Sequence, residues 1–381
     1  MGKKRRHILV LEPYYGGSHQ RVLDGLQQHS GMHCTLLTLP ARKWKSRMHL
    51  ASPHMAQLIG ALYKQGKRYD ALFTSGYLDV AVLRSLLARV GIFLPIGLYF
   101  HENQFAYPDR GDFASRSCYA AINYTSALCA DKVAFNSAYN RDTFFHGVYS
   151  YLKKNRDFQM EEQIDLLQKS CSILRPGMDF GPNPDWASKD TQHPVILWNH
   201  RWEHDKNPEE FFTALFRLAA REIPFKLIVL GQSFRKRPPV FEQAIQTLGA
   251  RVIHFGYVSS RDQYLALLEQ GTVAVSTARH EFFGFSMLEA VRAGCRPLVP
   301  DRLAYPELFG KEYRYSQEKL EQALAKLLLS GVSFSQQEAM ALTEPYSWTN
   351  LACAYEQWFD ELLHGKVPGH HSAPGCRRVG N

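Results

Sequence analysis

The sequence alternates twice between short apolar runs of strand length and amphipathic segments of helix length. That double alternation limits the fold more than any single motif does. The first round holds residues 7–15 (HILVLEPYY), 34–39 (CTLLTL), 71–75 (ALFTS), 95–101 (PIGLYFH) and 132–136 (KVAFN), with helices predicted between them, as over 18–29 and 78–89. The pattern breaks at 150–192, where KKNRDFQMEEQIDLLQKS reads as a helix candidate and RPGMDFGPNPDWASKDTQ as a linker. It restarts with PVILWNH, FKLIVLG, RVIHFGY, TVAVST and RPLVP, again separated by helices such as 208–220 and 261–269. Strands joined through helices form parallel sheets covered on both faces. A chain of 381 residues is also too long for one ordinary core. The predicted fold class is therefore α/β, with two Rossmann-like, doubly wound domains at 1–170 and 171–346 facing across a cleft. A helix is expected at 347–364, then a disordered basic Pro/Gly-rich tail at 365–381.

The longest apolar stretch, ARVGIFLPIGLYF, is broken by Gly and Pro and reads as a buried strand, so no membrane association is expected. The N-terminal apolar segment contains Glu12 and lacks a small-residue cleavage pattern, which favours a first core strand over a signal peptide. Seven Cys without a C-x-x-C pair read as buried reduced thiols of a cytoplasmic protein. The net charge of +9 favours an anionic partner without saying which.

Ligands of open α/β sheets sit beyond the carboxyl ends of the strands. In the loop RWEHDKNPEEFF, Arg201 and Lys206 suit a diphosphate, one as a fork and the other as a point charge. The same pair equally fits a solvated loop with a local Glu–Lys contact. His200, His204 and Glu203 offer no further ligand at metal spacing, so no metal is expected there. Further on, ARHEFFGFSMLEAVRAG places Glu281 before a helix and Glu289 inside it, about 7.5 Å further along the axis at about 1.5 Å per residue. Gly284 permits close backbone approach, so the N–H groups of Phe285 and Ser286 can point at an anion at the helix start. The two acids then reach hydroxyls beyond either end of a diphosphate, a sugar at Glu281 and a ribose at Glu289. A solvated helix face fits poorly with Phe282, Phe283, Phe285, Met287 and Leu288 around them.

The E-x7-E stretch with its upstream basic pair resembles the retaining glycosyltransferases of family 4, which have the GT-B fold. In that family these positions imply that Glu281 touches the donor sugar, Glu289 the ribose, and Arg201 and Lys206 the leaving diphosphate. The blocks LEPYYGGSHQ, LPARKWKSR, YFHENQFAYP, FNSAYNRDTFF, HRWEHDKNPEEFF and ARHEFFGFSMLEAV look more narrowly like the tRNA-queuosine α-mannosyltransferases over most of 7–350. That resemblance implies GDP-mannose as donor. It implies as acceptor the cyclopentenediol of queuosine at the wobble position of tRNA(Asp), although the residues alone choose neither hexose nor tRNA.

Gly16 and Gly17 then let a phosphate or sugar approach the backbone, although a Gly pair also fits a plain tight turn. His101 is placed on the donor sugar by analogy, the alternative being a core His bonded to backbone. Arg42, Lys43, Lys45 and Arg47 flank Trp44, which suits unstacked bases and phosphates but also fits a merely solvated basic loop. No D-x-D occurs and no cofactor is expected. Other family 4 chemistry, with another nucleotide-sugar or with a lipid, glycan or small-molecule acceptor, stays open, as does a non-catalytic nucleotide-sugar or RNA-binding module. Oligomeric state is not legible.

Overall fold

Strand β1 (His7–Tyr15) carries four consecutive buried apolar residues, Ile8 to Leu11, as a strand covered on both faces must. The computed structural model describes residues 6–107, 113–154, 157–181, 184, 186, 194–233, 238–316 and 319–365. The tail beyond 365 and most of the linker from 182 onward lie outside the described residues. The first sheet continues with β2 (His33–Pro40), β3 (Ala71–Ser75), β4 (Ile96–Phe100), β5 (Lys132–Phe135) and β6 (Ser172–Ile173). Its order is β2-β1-β3-β4-β5-β6, with every pairing parallel.

The second sheet comprises β7 (Val195–Asn199), β8 (Lys226–Leu230), β9 (Val252–Gly256), β10 (Val273–Val275), β11 (Arg296–Pro300) and β12 (Arg314–Tyr315). It is also parallel, in the order β12-β11-β10-β7-β8-β9. The strand order reverses between β1 and β3 in one sheet and between β7 and β10 in the other. These are the switch points where crevices open.

Local chemistry starts the helices where they begin. Asp79 accepts from Val82 N to cap Val80–Ala88, Ser137 caps Ala138–Lys153, and Pro208 opens Pro208–Ala220 with its ring already at helical φ. Three expectations need correcting. The division at 170/171 falls short of β6, which pairs with β5 and so belongs to the first sheet. The basic stretch after β2 is not a loop throughout, because the helix Trp44–Lys64 starts inside it, after Lys43 at φ 53°. Nor are the thiols mainly buried: of the described Cys, only Cys34 and Cys295 are, whereas Cys118 and Cys353 are exposed.

The last helix, Trp348–His364, follows the second sheet but packs on the first. Trp348, Tyr355, Trp358, Phe359 and Leu362 share a core with Ile8, Val10, Val22, Leu23 and Phe73. Gly25 and Gly97 make room for it: an added Cβ would stand 1.8 Å from the Trp348 indole nitrogen and 2.5 Å from the Trp358 ring, respectively. The chain passes between the domains twice, and the two passages are bonded to each other. Met178 N donates to Tyr346 O at 2.8 Å and Trp348 N to Met178 O at 3.2 Å.

Candidate active site

The loops after β7 and β10 meet at the second switch point. Lys206 is buried there, its Nζ 2.7 Å from the carbonyl of His280 and 3.3 Å from carboxylate oxygens of both Glu281 and Asp205. Burial alone would raise the Glu281 carboxyl, but the Lys206 ammonium, helped by the backbone N–H of Phe283, outweighs it and holds Glu281 below its ordinary range, as a carboxylate. Burial and the charge of Lys206 push His200 and His280 each down to about 4, so both rings are neutral near pH 7. Arg201 is more open, about half exposed, with its guanidinium 2.9 Å from Glu203.

Gly284, at φ 113°, turns the chain into the helix Phe285–Arg292. Its φ favours glycine, and the Leu308 methyl 3.0 Å from any added Cβ leaves little room for a side chain. The first N–H groups of this helix, Phe285 and Ser286, lie beyond its own hydrogen-bond ladder. The turn is fixed by Asn199, which donates to Ser286 O at 2.7 Å.

Glu289, on the same helix, is buried and fully engaged. Its Oε1 accepts from Arg21 at 2.7 Å and Arg261 at 2.5 Å, and its Oε2 from the Tyr264 hydroxyl at 3.0 Å. It therefore stands at the domain junction, because Arg21 belongs to the first domain. Two further contacts cross that junction. Ser137 Oγ donates to Phe282 O at 2.6 Å, and Glu307 accepts from the backbone N–H groups of Ala138 and Tyr139.

Facing these loops, the first domain presents a buried ionic group at its own switch point. His19 Nδ1 lies 3.1 Å from Glu12 Oε2 and its Nε2 3.3 Å from Glu102 Oε2. Burial alone would push the imidazole down, but the two carboxylates outweigh it and push it up to about 10, so His19 carries its proton. His101 stacks on His19 with ring centroids 3.9 Å apart. Burial and that neighbouring cation hold His101 well below its ordinary value, hence neutral. His101 is only 5% exposed, packed face to face with His19. Its Nδ1 has no hydrogen-bond partner among the described residues, which disfavours a core His satisfied by backbone at that atom. Glu12, His19 and His101 bring one possible metal-ligand atom each within 4.8 Å, yet both nitrogens of His19 are already turned to carboxylates.

Gly16 is extended, with Ala41 Cβ 2.5 Å from any added Cβ, and Gly17, at φ 56°, opens the helix Gly17–His29. In the basic segment, Arg42 and Lys43 are exposed, while Arg47 leans back on Pro40 O at 3.4 Å. Trp44 does not stand free among cations. Its ring lies 5.2 to 6.0 Å from those of Tyr119, Tyr107 and Tyr77, with the Lys45 ammonium 5.5 Å from its centroid. Tyr107 in turn meets His280 of the second domain edge-on at 5.0 Å.

The structure thus brings Glu281, Lys206, Gly284, Phe285 and Ser286 together at one switch point and Gly16, Gly17 and His101 at the other. Sequence reasoning missed Glu12, His19, Tyr77, Glu102 and Arg21 as site members. One signal was available for Glu12: a carboxylate within a strand otherwise apolar needs a partner.

Comparisons with known proteins agree with this layout. Residues 7–178 match the family model described as tRNA-queuosine alpha-mannosyltransferase N-terminal, and 184–343 match glycosyl transferases group 1. The tRNA-queuosine alpha-mannosyltransferase of Drosophila melanogaster is 35% identical over 329 residues, 83% of this chain and 85% of that protein. A GDP-mannose:cellobiosyl-diphosphopolyprenol alpha-mannosyltransferase of Xanthomonas campestris is 24% identical over 62% of this chain and 67% of its own length. Among solved structures, sucrose-phosphate synthase from Thermosynechococcus elongatus superposes with a TM-score of 0.68 at 15% identity, covering 95% of this chain and all of that one. The fold is GT-B.

Proposed function

Because the chain belongs to the tRNA-queuosine alpha-mannosyltransferase family, we propose that it takes mannose from GDP-mannose and sets it on the wobble queuosine of tRNA(Asp), in the cytoplasm. The chain is a glycosyltransferase. The donor assignment draws support from the Xanthomonas campestris relative, which is named for GDP-mannose. One observation carries the site assignment: buried Lys206 is bonded to Glu281, and Glu281 stands just before the helix Phe285–Arg292, whose first N–H groups lie outside its own ladder.

In this reading the bond between the anomeric carbon and the β-phosphate oxygen breaks while the acceptor hydroxyl bonds to that carbon from the same face. The hydroxyl proton passes to the departing phosphate oxygen, and GDP leaves. Arg201, Lys206 and the helix N-terminus stabilise the charge growing on the diphosphate, which is where positive charge lowers the barrier. Glu281 and His101 orient the sugar, and Gly16 and Gly17 allow it close to the backbone. These groups supply the positive charge that a divalent ion would otherwise provide.

The test uses purified protein, labelled GDP-mannose and tRNA with or without queuosine. Label should enter only queuosine-bearing tRNA, and EDTA should leave turnover intact. Labelling of unmodified tRNA, or none with any tRNA, overturns the assignment. Loss with EDTA that only Mg²⁺ or Mn²⁺ restores overturns the metal-free mechanism.

A further inference from the structure

The first-domain ionic group has a role that transfer of the sugar leaves unexplained. Glu12 and Glu102 share one imidazolium, so a negative charge is left over at the cleft floor of a chain whose net charge is +9. The two acids differ in where they lead. Glu12 is sealed at 1% exposure and further satisfied by Tyr14 N at 2.8 Å and Ser75 Oγ at 3.1 Å. Glu102 is 16% exposed and lies within electrostatic reach of His280 in the second domain. Its carboxyl, which burial would raise, is held below its ordinary range by His19 and by hydrogen bonds from His19 and Tyr77. The groups facing it are His19 and Tyr77 from the first domain, His280 from the second, and Tyr14 and Tyr107 at somewhat longer range.

Two buried nitrogens at this place lack partners among the described residues, Nδ1 of His101 and Nε2 of His280, at 5% and 7% exposure. Such orphans mark where a ligand's polar groups complete the set. From Glu102 a run of rings leads outward. Tyr77 and Tyr107 stand beside Glu102, both neighbour Trp44, and Trp44 meets Tyr119, with Lys45 over the rings of Trp44 and Tyr119 and with exposed Arg42 and Lys43 preceding Trp44 in the chain. The order from the floor is carboxylate, flat aromatic faces, cations. An acceptor that matches carries a cationic nitrogen, a planar base and phosphates in that order.

Queuosine has this arrangement: a secondary amine, protonated at neutral pH, joins its cyclopentenediol to a 7-deazaguanine ring. Resting on the functional reading above, we propose that Glu102, braced by His19 and Tyr77, is the counter-ion for the acceptor's ammonium group and selects queuosine over uncharged bases. The ring run from Tyr77 to Trp44 receives the base, and the basic segment receives the flanking phosphates. Glu102 is then a specificity residue of the acceptor site. His19 is a positioning residue that acts through it.

The experiment compares two anticodon stem-loop RNAs carrying queuosine, one with its amine free and one with it acetylated, in the wild-type enzyme and in Glu102→Gln. With wild type, acetylation should raise the acceptor KM about tenfold to a hundredfold, as loss of a charge-assisted hydrogen bond does. In Glu102→Gln the two RNAs should become nearly equivalent. GDP-mannose affinity of the variant, measured by calorimetry, should be retained. Equal turnover of both RNAs by wild type overturns the inference and leaves the functional reading standing. A fall in donor affinity as large as the rise in acceptor KM reassigns Glu102 to the donor and also overturns it. If neither RNA is labelled, both readings fall together. Equal turnover of the two RNAs by wild type overturns the inference even if the variant does not fold.

Discussion

Among single residues, Lys206 carries the most weight. Its ammonium is buried with two carboxylates and a carbonyl, so it is held in place before any donor arrives and loses little freedom in the reaction. Removing one preorganised donor to a developing oxyanion costs about 10²–10³ in kcat. Lys206→Ala should therefore lower kcat by about that factor while tRNA affinity, followed by filter binding, changes little. Equal losses in both would contradict a leaving-group role. The variant also strands Glu281, and breaking a buried pair costs about 3–5 kcal/mol, so its melting temperature must be followed alongside. Neutral His200 and His280, pushed down partly by this same ammonium, keep the second-domain wall free of additional positive charge near pH 7.

Among secondary-structure elements, the last helix depends on two residues that have no side chain. An Ala in a helix interior ordinarily stabilises by about 1 kcal/mol relative to Gly. At Gly25 the sign should reverse, because the new methyl would occupy the space of Trp348. Gly25→Ala and Gly97→Ala are each expected to destabilise by about 1–3 kcal/mol, the cost of overpacking, in denaturant melts. Gly60, in the helix Trp44–Lys64 with nothing within 4 Å of an added Cβ, is the control and should gain stability. The strands were legible because buried parallel strands are apolar without interruption, and the helix Pro208–Ala220 was legible to the residue from its Pro and first-turn acids. The short strand β6 was not legible: two residues carry no period, and only its pairing with β5 defines it. At the site, Glu281 and Lys206 were picked out by their motifs, and they stand in contact. The long-range ion pairs could not be read, because Arg21 lies 268 residues from Glu289 and Glu102 lies 83 from His19. Nothing local distinguishes those side chains from ordinary surface charge until the two sheets face each other.

Across the whole molecule, the two domains touch through a few polar contacts that include Arg21–Glu289, Ser137–Phe282 and Glu307 with the helix Ala138–Lys153. Contacts of this kind hold domains together weakly enough to part. Replacing both Arg21 and Glu307 by Ala should open the cleft, seen as a larger radius of gyration in small-angle scattering without nucleotide; an unchanged radius would show that the apolar contacts alone hold it shut. Such opening is expected to turn about the paired passages at Met178 and Ser347, where the backbones bond side by side. The last helix adds a rule of inheritance. Anyone exchanging the nucleotide-sugar lobe for that of another transferase must leave residues 348–364 in place, since the cradle that Gly25 and Gly97 form for Trp348 and Trp358 belongs to the lobe that stays. A chimera cut by sequence order would carry the wrong end piece, and its recipient half would show bare indoles and phenyl rings to water.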